Sequence, residues 1–232
     1  RREVIKAVNT NGVKNESVTK LLGGMDQVVN VYSNFIPVFD KAFVSPASDN
    51  GDYYYQYNVT DTQVINNKRY FHLVFVPRRK GGDTFEGDCW VHVGSFAIQR
   101  MNLRLGKEAN VNFVENLSLI QEYKQIDDST WFLSKDKFVV DVSPAGKDRP
   151  GFIGRKTTTY DHIVVNDTSV LAELSKNKIL EEIITLPDAS KKTKDYWAVE
   201  RHEPLSKTES GIIRMIDTLT NAPVFQRFTK TL

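Results

Sequence analysis

The chain has a single cysteine, Cys89, in 232 residues. No disulfide can form within it, so a packed core has to supply its stability. No apolar run approaches the roughly 18 residues of a membrane-spanning helix, and no basic start followed by an apolar stretch marks a leader. The chain opens on Arg1-Arg2-Glu3 instead of Met and reads as a piece of a longer protein. A surplus of one charge is also missing: 31 Lys and Arg against 29 Asp and Glu leave +2. A nucleic-acid binder concentrates a basic excess on one face, so no nucleic-acid partner is expected. The short clusters Arg78-Arg79-Lys80 and Lys191-Lys192-Thr193-Lys194 lie among turn residues and read as solvated loops.

The same scarcity runs through the groups that carry chemistry. Of the four histidines, His72, His92, His162 and His202, the first two sit in strand-like runs without a second ligand at metal spacing. Cys89 and His92 have opposite parity along one strand and point to opposite faces, so they cannot share an ion without a bulge. There is no Gly-x-Ser-x-Gly elbow, and Cys89 has no activating neighbours in the sequence; it reads as a small buried hydrophobe. Asp127-Asp128 lies in a turn, where carboxylates cap backbone amides. Gly23-Gly24 and Gly81-Gly82 are turn glycines, and neither opens a phosphate-binding loop. Asn15, Asn58, Asn116 and Asn166 begin Asn-x-Ser/Thr triplets, a number close to chance for an Asn-rich chain. No catalytic residue, metal site or cofactor is expected.

What the chain does have is strand after strand between Tyr53 and Val142. Expected strands run Tyr53–Val59 and Arg69–Val76, with a short strand at 64–68 turning through Asn66-Asn67. Thr84–Val93 and Phe96–Leu105 form a hairpin about Gly94-Ser95. Phe113–Ile126 contains the next strand, which turns at Asp127-Asp128-Ser129 into Trp131–Val142, kinked near Ser134–Asp136. A final strand lies around Arg155–Val165. Outside this block, Val4, Ile5 and Val8 and then Val18, Leu21 and Leu22 have helical spacing, giving one or two short helices within residues 1–24. Val170–Ile184 is helical in part, Pro187–Lys194 is a polar linker, and Ser206-Lys-Thr-Glu209 is a capping box ahead of an amphipathic helix through Ile212, Ile213, Met215, Ile216 and Leu219.

Strand parity collects Phe71, Leu73 and Phe75; Phe85, Cys89, Val91 and Val93; Met101, Leu103 and Leu105; Leu117 and Leu119; and Phe138, Val140 and Val142 on one apolar face. Arg100, Asn102, Arg104, Glu122 and Lys124 fall on the other. So broad an apolar face needs helices, a second sheet or a ligand over it, and the chain supplies few strong helices. Two arrangements follow: a core filled by the chain's own side chains, or a partly covered hollow. The lining of such a hollow would be Phe71, Leu73, Val91, Met101, Leu103, Leu119 and Val140, and its ligand a lipid or another apolar molecule.

Several phrases carry a resemblance: Asn30-Val-Tyr-Ser-Asn-Phe-Ile-Pro-Val-Phe39, Phe43-Val-Ser-Pro46, Thr84-Phe-Glu-Gly-x-x-Trp-Val91, Ala109-Asn-Val-Asn-Phe-Val114, Trp131-x-Leu-x-Lys-Asp-Lys137, Gly154-Arg-Lys-Thr-Thr158, and Tyr196-Trp197 with Arg201-x-x-Pro-Leu-Ser206, Glu209 and Ile216-Asp217. In this order they resemble a family of uncharacterised Bacteroidetes outer-membrane-associated proteins, in which a carboxypeptidase-regulatory-like sandwich precedes a domain of unknown function and a barrel. The chain is similar to the middle, soluble segment of such proteins and lacks both flanks. The strand order and the Phe-x-Gly-x-x-Trp-Val hairpin also resemble, at the level of fold, the LolA and LolB lipoprotein carriers, whose half-barrel holds acyl chains.

The expectation is therefore a mainly β (α+β) protein: a curved antiparallel sheet or half-barrel with helices at the N- and C-terminal ends. Residues 1–186 would form the β-rich domain and 187–232 a linker with a helical appendage. The resemblance implies a place on the periplasmic side of the outer membrane, with the flanking domains of the full-length protein as partners. The expected role is a non-catalytic binding or interaction module; a structural spacer without a ligand is the alternative, and an enzyme the third reading.

Overall fold

The computed structural model describes residues 2–7, 29–106, 108–109, 111–143, 152–165, 167–169, 172, 175, 182–201 and 204–221. In chain order the strands are β1 (Arg2–Ile5), β2 (Phe35–Val38), β3 (Lys41–Val44), β4 (Tyr55–Ile65), β5 (Lys68–Pro77), β6 (Phe85–His92), β7 (Ile98–Leu105), β8 (Val114–Gln125), β9 (Trp131–Val142), β10 (Phe152–Thr159) and β11 (Glu182–Thr185). The helices are α1 (Gly51–Tyr54), α2 (Lys194–Glu200) and α3 (Lys207–Asn221). The chain divides into two compact units, one of residues 16–161 and one of 1–15 with 162–232.

The larger unit is built on a seven-stranded sheet whose order, β10-β9-β8-β7-β6-β5-β4, is the sequence order reversed, so every strand pairs antiparallel with its neighbour in sequence. The expected mainly β fold with a curved antiparallel sheet is what forms. Asn66 and Asn67, at φ 50° and 61°, make the β4–β5 turn, because Asn tolerates the left-handed conformation that a two-residue hairpin requires. Residues 64–65 thus end an eleven-residue β4 and are not a separate strand, while Tyr53 and Tyr54 belong to α1. Asp127 Oδ1 accepts from the amides of Ser129 (2.9 Å) and Thr130 (2.8 Å) in the β8–β9 turn. In the β6–β7 loop the left-handed residue is Phe96 (φ 55°), with its amide on the His92 carbonyl at 2.9 Å.

The sheet curls. Adjacent strands lie about 4.8 Å apart, so β5 and β9, four places apart in the order, would be about 19 Å apart if it were flat. Yet Tyr70 of β5 meets Trp131 of β9 edge-on at 6.5 Å, His92 of β6 is 5.5 Å from the same indole, and Lys68 bonds to Gln125 of β8. Four register breaks leave Thr60 on β4, Gln99 on β7, Glu115 on β8 and Ser134 on β9 without a partner. Such bulges bend and twist a strand locally. The break at Ser134 falls where the sequence suggested a kink.

The apolar face of this sheet is covered by the chain itself. Val29, Val31, Ile36, Val38, Phe43 and Val44 pack in one cluster with Tyr55, Phe75, Phe85, Met101, Leu103, Leu119 and Val140. Phe43 and Phe85 rings lie 5.0 Å apart. Polar bonds fix the cover in place. The Tyr55 hydroxyl donates to the Val44 carbonyl and accepts from the Phe85 amide (3.0 Å), joining β3, β4 and β6 at a fully buried point. Gln121, 1% exposed, donates to the Val29 carbonyl (3.0 Å) and Asp136 Oδ1 (2.9 Å) and accepts from the Tyr123 hydroxyl (2.8 Å). Burial pushes the Tyr55 and Tyr123 phenols well above their ordinary range. Tyr57 bonds the Pro46 carbonyl at 2.7 Å, and the Ile98 amide bonds the Tyr32 hydroxyl at 2.9 Å.

In the smaller unit, β1 and β11 pair parallel from Arg2↔Glu182 to Ile5↔Thr185, and the Leu186 amide continues onto the Ile5 carbonyl at 3.0 Å. This corrects two expectations. Val4 and Ile5 lie in a strand, not an N-terminal helix, and Glu182–Thr185 is a strand at the end of the stretch read as helical. β-branched side chains at Val4, Ile5, Ile183, Ile184 and Thr185 favour the extended form once a partner strand is present. The rest of the expected N-terminal helices, residues 8–24, lies outside the described residues. The capping box forms as expected: the Glu209 amide donates to Ser206 Oγ at 3.2 Å, and the Ser206 amide to Glu209 Oε2 at 2.9 Å.

Two outcomes follow from the covered core. A Cβ at Gly87 would lie 1.9 Å from the Asn102 carbonyl oxygen and 3.0 Å from Phe75 Cζ. Gly87→Ala should therefore separate β6 from β7 and cost about 2–4 kcal/mol in urea unfolding; a loss under about 0.5 kcal/mol would show that the strands move apart freely. Burial raises the Asp136 carboxyl above the ordinary carboxylate range, offset in part by the Gln121 bond and the Lys156 charge. A raised folded value means that this group favours folding while protonated and loses that contribution as pH rises through the folded value. Asp136→Asn keeps an acceptor for Gln121, so the stability of the wild type relative to this variant should fall between about pH 3 and pH 7. A rise over that interval would refute the assignment.

Candidate functional site

The seven residues expected to line a hollow divide into two groups. Met101, Leu103, Leu119 and Val140 are 0–2% exposed and enclosed by the 29–44 cover. These four are core, not an open lining, because residues 29–44 pack in one cluster with them. Phe71, Leu73 and Val91 are half-buried. They lie in neighbouring registers on β5 and β6, Leu73 and Val91 packed against the core cluster, with Val59 and Val64 of β4 57% and 69% exposed on the same side.

The opposite face of the sheet holds a denser polar arrangement. One register row crosses all seven strands, Asp61↔His72↔Trp90↔Arg100↔Glu122↔Lys135↔Thr159. Directly opposed side chains on one face are close neighbours, and from Asp61 to Glu122 they make a connected chain. His72 stacks on Trp90 at 4.4 Å with planes 12° apart, and the Arg100 guanidinium lies 5.5 Å from the indole centroid. Arg100 also pairs with Glu122 at 3.6 Å. Trp90 Nε1 donates to Gln63 Oε1 at 2.9 Å. In the next row, Asp88 takes His72 Nε2 on one oxygen (2.9 Å) and Asn102 Nδ2 on the other (3.0 Å). The bulge at Thr60 aims its hydroxyl at His72 Nδ1, 2.9 Å away.

Thr60, His72 and Asp88 thus form a hydroxyl–imidazole–carboxylate chain, the residue types of a nucleophilic centre. The Thr60 hydroxyl also lies 3.1 Å from the His72 carbonyl. With Nε2–H given to Asp88, Nδ1 of the neutral ring accepts, so the one hydroxyl proton has two acceptors, and these residue types alone do not establish a nucleophile. The arrangement instead ties β4, β5, β6 and β7 together across the sheet. His92, the other strand histidine, does not join it; its ring bonds Ser95 Oγ at 2.9 Å and packs on Tyr70 and Trp131.

No group of three or more His, Cys, Asp or Glu among the described residues could hold a metal ion. Cys89 is buried, and desolvation with the nearby Asp88 charge pushes its thiol up to about 12, away from the reactive thiolate. The row itself was hidden in the sequence: parity marks its members as polar, but only the register, with a residue skipped at Thr60, Gln99 and Ser134, places them opposite one another.

Asp88 is the fixed point of this network, with its side chain 21% exposed, whereas Asp61 is 53% exposed and 3.5 Å from the ring. Asp88→Ala strands two donors and should cost about 1–3 kcal/mol in urea unfolding. Asp61→Ala should cost less than about 1 kcal/mol. Equal losses would mean that the row is not organised about Asp88.

No curated protein and no solved structure matches the chain. A family model described as a family of unknown function, DUF5686, matches residues 1–160, which include the cover, β4 to β9 and the whole of β10. By that match the chain belongs to the DUF5686 family of unknown function.

Proposed function

We propose that this chain is a non-catalytic structural and interaction module of a cell-envelope protein, on the periplasmic side of the outer membrane. The observation that carries the reading is the filled apolar face: residues 29–44 occupy the place an acyl ligand would take against Met101, Leu103, Leu119 and Val140. The buried Cys89 thiol fits a scaffold better than an enzyme. The envelope location rests on the resemblance of the Asn30–Phe39, Thr84–Val91 and Trp131–Lys137 phrases to outer-membrane-associated proteins. The spacer role fits a sheet of sequence-adjacent strands crosslinked on both faces, which resists shear without needing a ligand.

A narrower ligand reading keeps one support. Phe71, Leu73 and Val91 stay half-buried at the margin of the core cluster, beside exposed Val59 and Val64. Native mass spectrometry of the 232-residue chain, purified from an envelope-bearing host, distinguishes the two. The scaffold reading expects the mass of the polypeptide alone and an organic extract free of stoichiometric lipid. A co-purifying acyl species that is lost on Phe71→Asp would replace it with the ligand reading.

A further inference from the structure

One edge of the sheet ends on β4, and among the described residues no further strand pairs with it. Natural sheets blunt an exposed edge with short strands, Lys, Pro or bulges. The opposite edge strand β10 follows the rule, carrying Arg155 and Lys156 in eight residues. β4 runs eleven residues with neither Lys nor Pro, and no charge at all falls between Tyr53 and Thr60. Its single acidic residue, Asp61, and the bulge at Thr60 protect only the second half.

The ladder pattern identifies which backbone groups face outward. The Arg78 amide bonds the Tyr54 carbonyl at 2.8 Å, which makes Tyr54 and Arg78 a hydrogen-bonded pair. In an antiparallel ladder such pairs alternate with pairs that bond away from each other. Gln56 and Asn58 are therefore tied to Val76 and Val74 of β5, while Tyr57 and Val59 turn N–H and C=O to the open side. Around this short edge Tyr53, Tyr54 and Tyr57 are 77%, 45% and 41% exposed. Tyrosines of this kind are the residues that interfaces recruit, offering apolar area with a polar tip at small entropic cost.

We propose that the Tyr55–Val59 half of β4 is a strand-addition site for a short extended segment of a partner protein, uncharged and carrying β-branched or aromatic side chains. On the interaction-module reading, on which it rests, this is where the module takes its partner. The chemistry of the edge selects the occupant. Two outward residues present four backbone groups, which only another extended backbone can satisfy together. The bulge at Thr60 limits the flat edge to about five residues, the reach of a short segment. It is too small by itself for a stable contact between two folded copies, which needs about 1,000 Å². The uncharged stretch leaves nothing to pair a charge on the incoming strand.

The test uses the full 232-residue chain and the capped heptapeptide Thr-Val-Thr-Tyr-Thr-Val-Thr as the probe, with backbone amide exchange followed by NMR. At peptide concentrations giving about 90% occupancy, the Tyr57 and Val59 amides should exchange about tenfold more slowly, while Gln56 and Asn58, already bonded to β5, stay unchanged. Val59→Pro removes one outward N–H without breaking a β4–β5 bond and should abolish the slowing. Should that variant fail to fold, Val59→Lys keeps the N–H, adds an edge charge and should weaken the effect at least about fivefold. No slowing at about 1 mM peptide, or slowing that survives these variants, overturns the proposal. So does a doubled mass in light scattering without peptide with the same amides protected, which would make the occupant a second copy. A stoichiometric lipid in the native mass spectrum would overturn the scaffold reading and leave these amide measurements intact.

Discussion

The structure depends on keeping one broad apolar sheet face out of water. A meander of seven sequence-adjacent strands forms readily from local pairings, but it leaves Phe75, Phe85, Met101, Leu103, Leu119 and Val140 on a single side. Each such side chain contributes about 1.5–3 kcal/mol only if it is buried. Residues 29–47 bury them, and a short irregular segment with two four-residue strands has little stability of its own. The Tyr55 hydroxyl and the Gln121 amide bind it to the sheet, each fully hydrogen-bonded at a buried point. Buried polar groups satisfied in this way specify one arrangement of the cover, because any sliding would strand them. The curl of the sheet follows from the same demand, since bulges let the strands bend around what they enclose.

Parity along each strand made the architecture legible, because side-chain direction alternates whatever the strands pair with. Asn66-Asn67, Asp127 and the Ser206–Glu209 capping box were equally readable, being local devices that act within four residues. The failures were all non-local. Val4, Ile5 and Glu182–Thr185 had ambiguous spacing that only their mutual pairing resolves, across more than 170 residues of chain. The cover was not recognised because Pro37 and Pro46 interrupt its pattern, and its apolar residues answer to the sheet beneath rather than to any period of their own.

The candidate site was the least legible part, for a physical reason. His72, Trp90, Arg100 and Glu122 are individually ordinary polar-face residues. They become a stacked and ion-paired row only through registers shifted by one residue at Gln99 and Thr60. A bulge is one extra residue, and no composition signal marks it. The Thr60 bulge also directs one hydroxyl at both the ring and the carbonyl of His72. Residue type alone would have suggested chemistry here, whereas the bonds of this network join four strands.

A domain that fills its own hollow has only surfaces and edges left for partners. The polar face is heavily committed within itself: His72 to Asp88 and Thr60, Arg100 to Glu122 and Trp90, Trp90 to Gln63. An incoming molecule there would have to replace bonds already made, at the desolvation cost of each displaced group. The β4 edge imposes no such exchange, because its outward amides and carbonyls give up only water to an arriving strand. On the scaffold reading, the edge beside Tyr57 and Val59 is therefore, among the described residues, the place where binding displaces the fewest bonds already made.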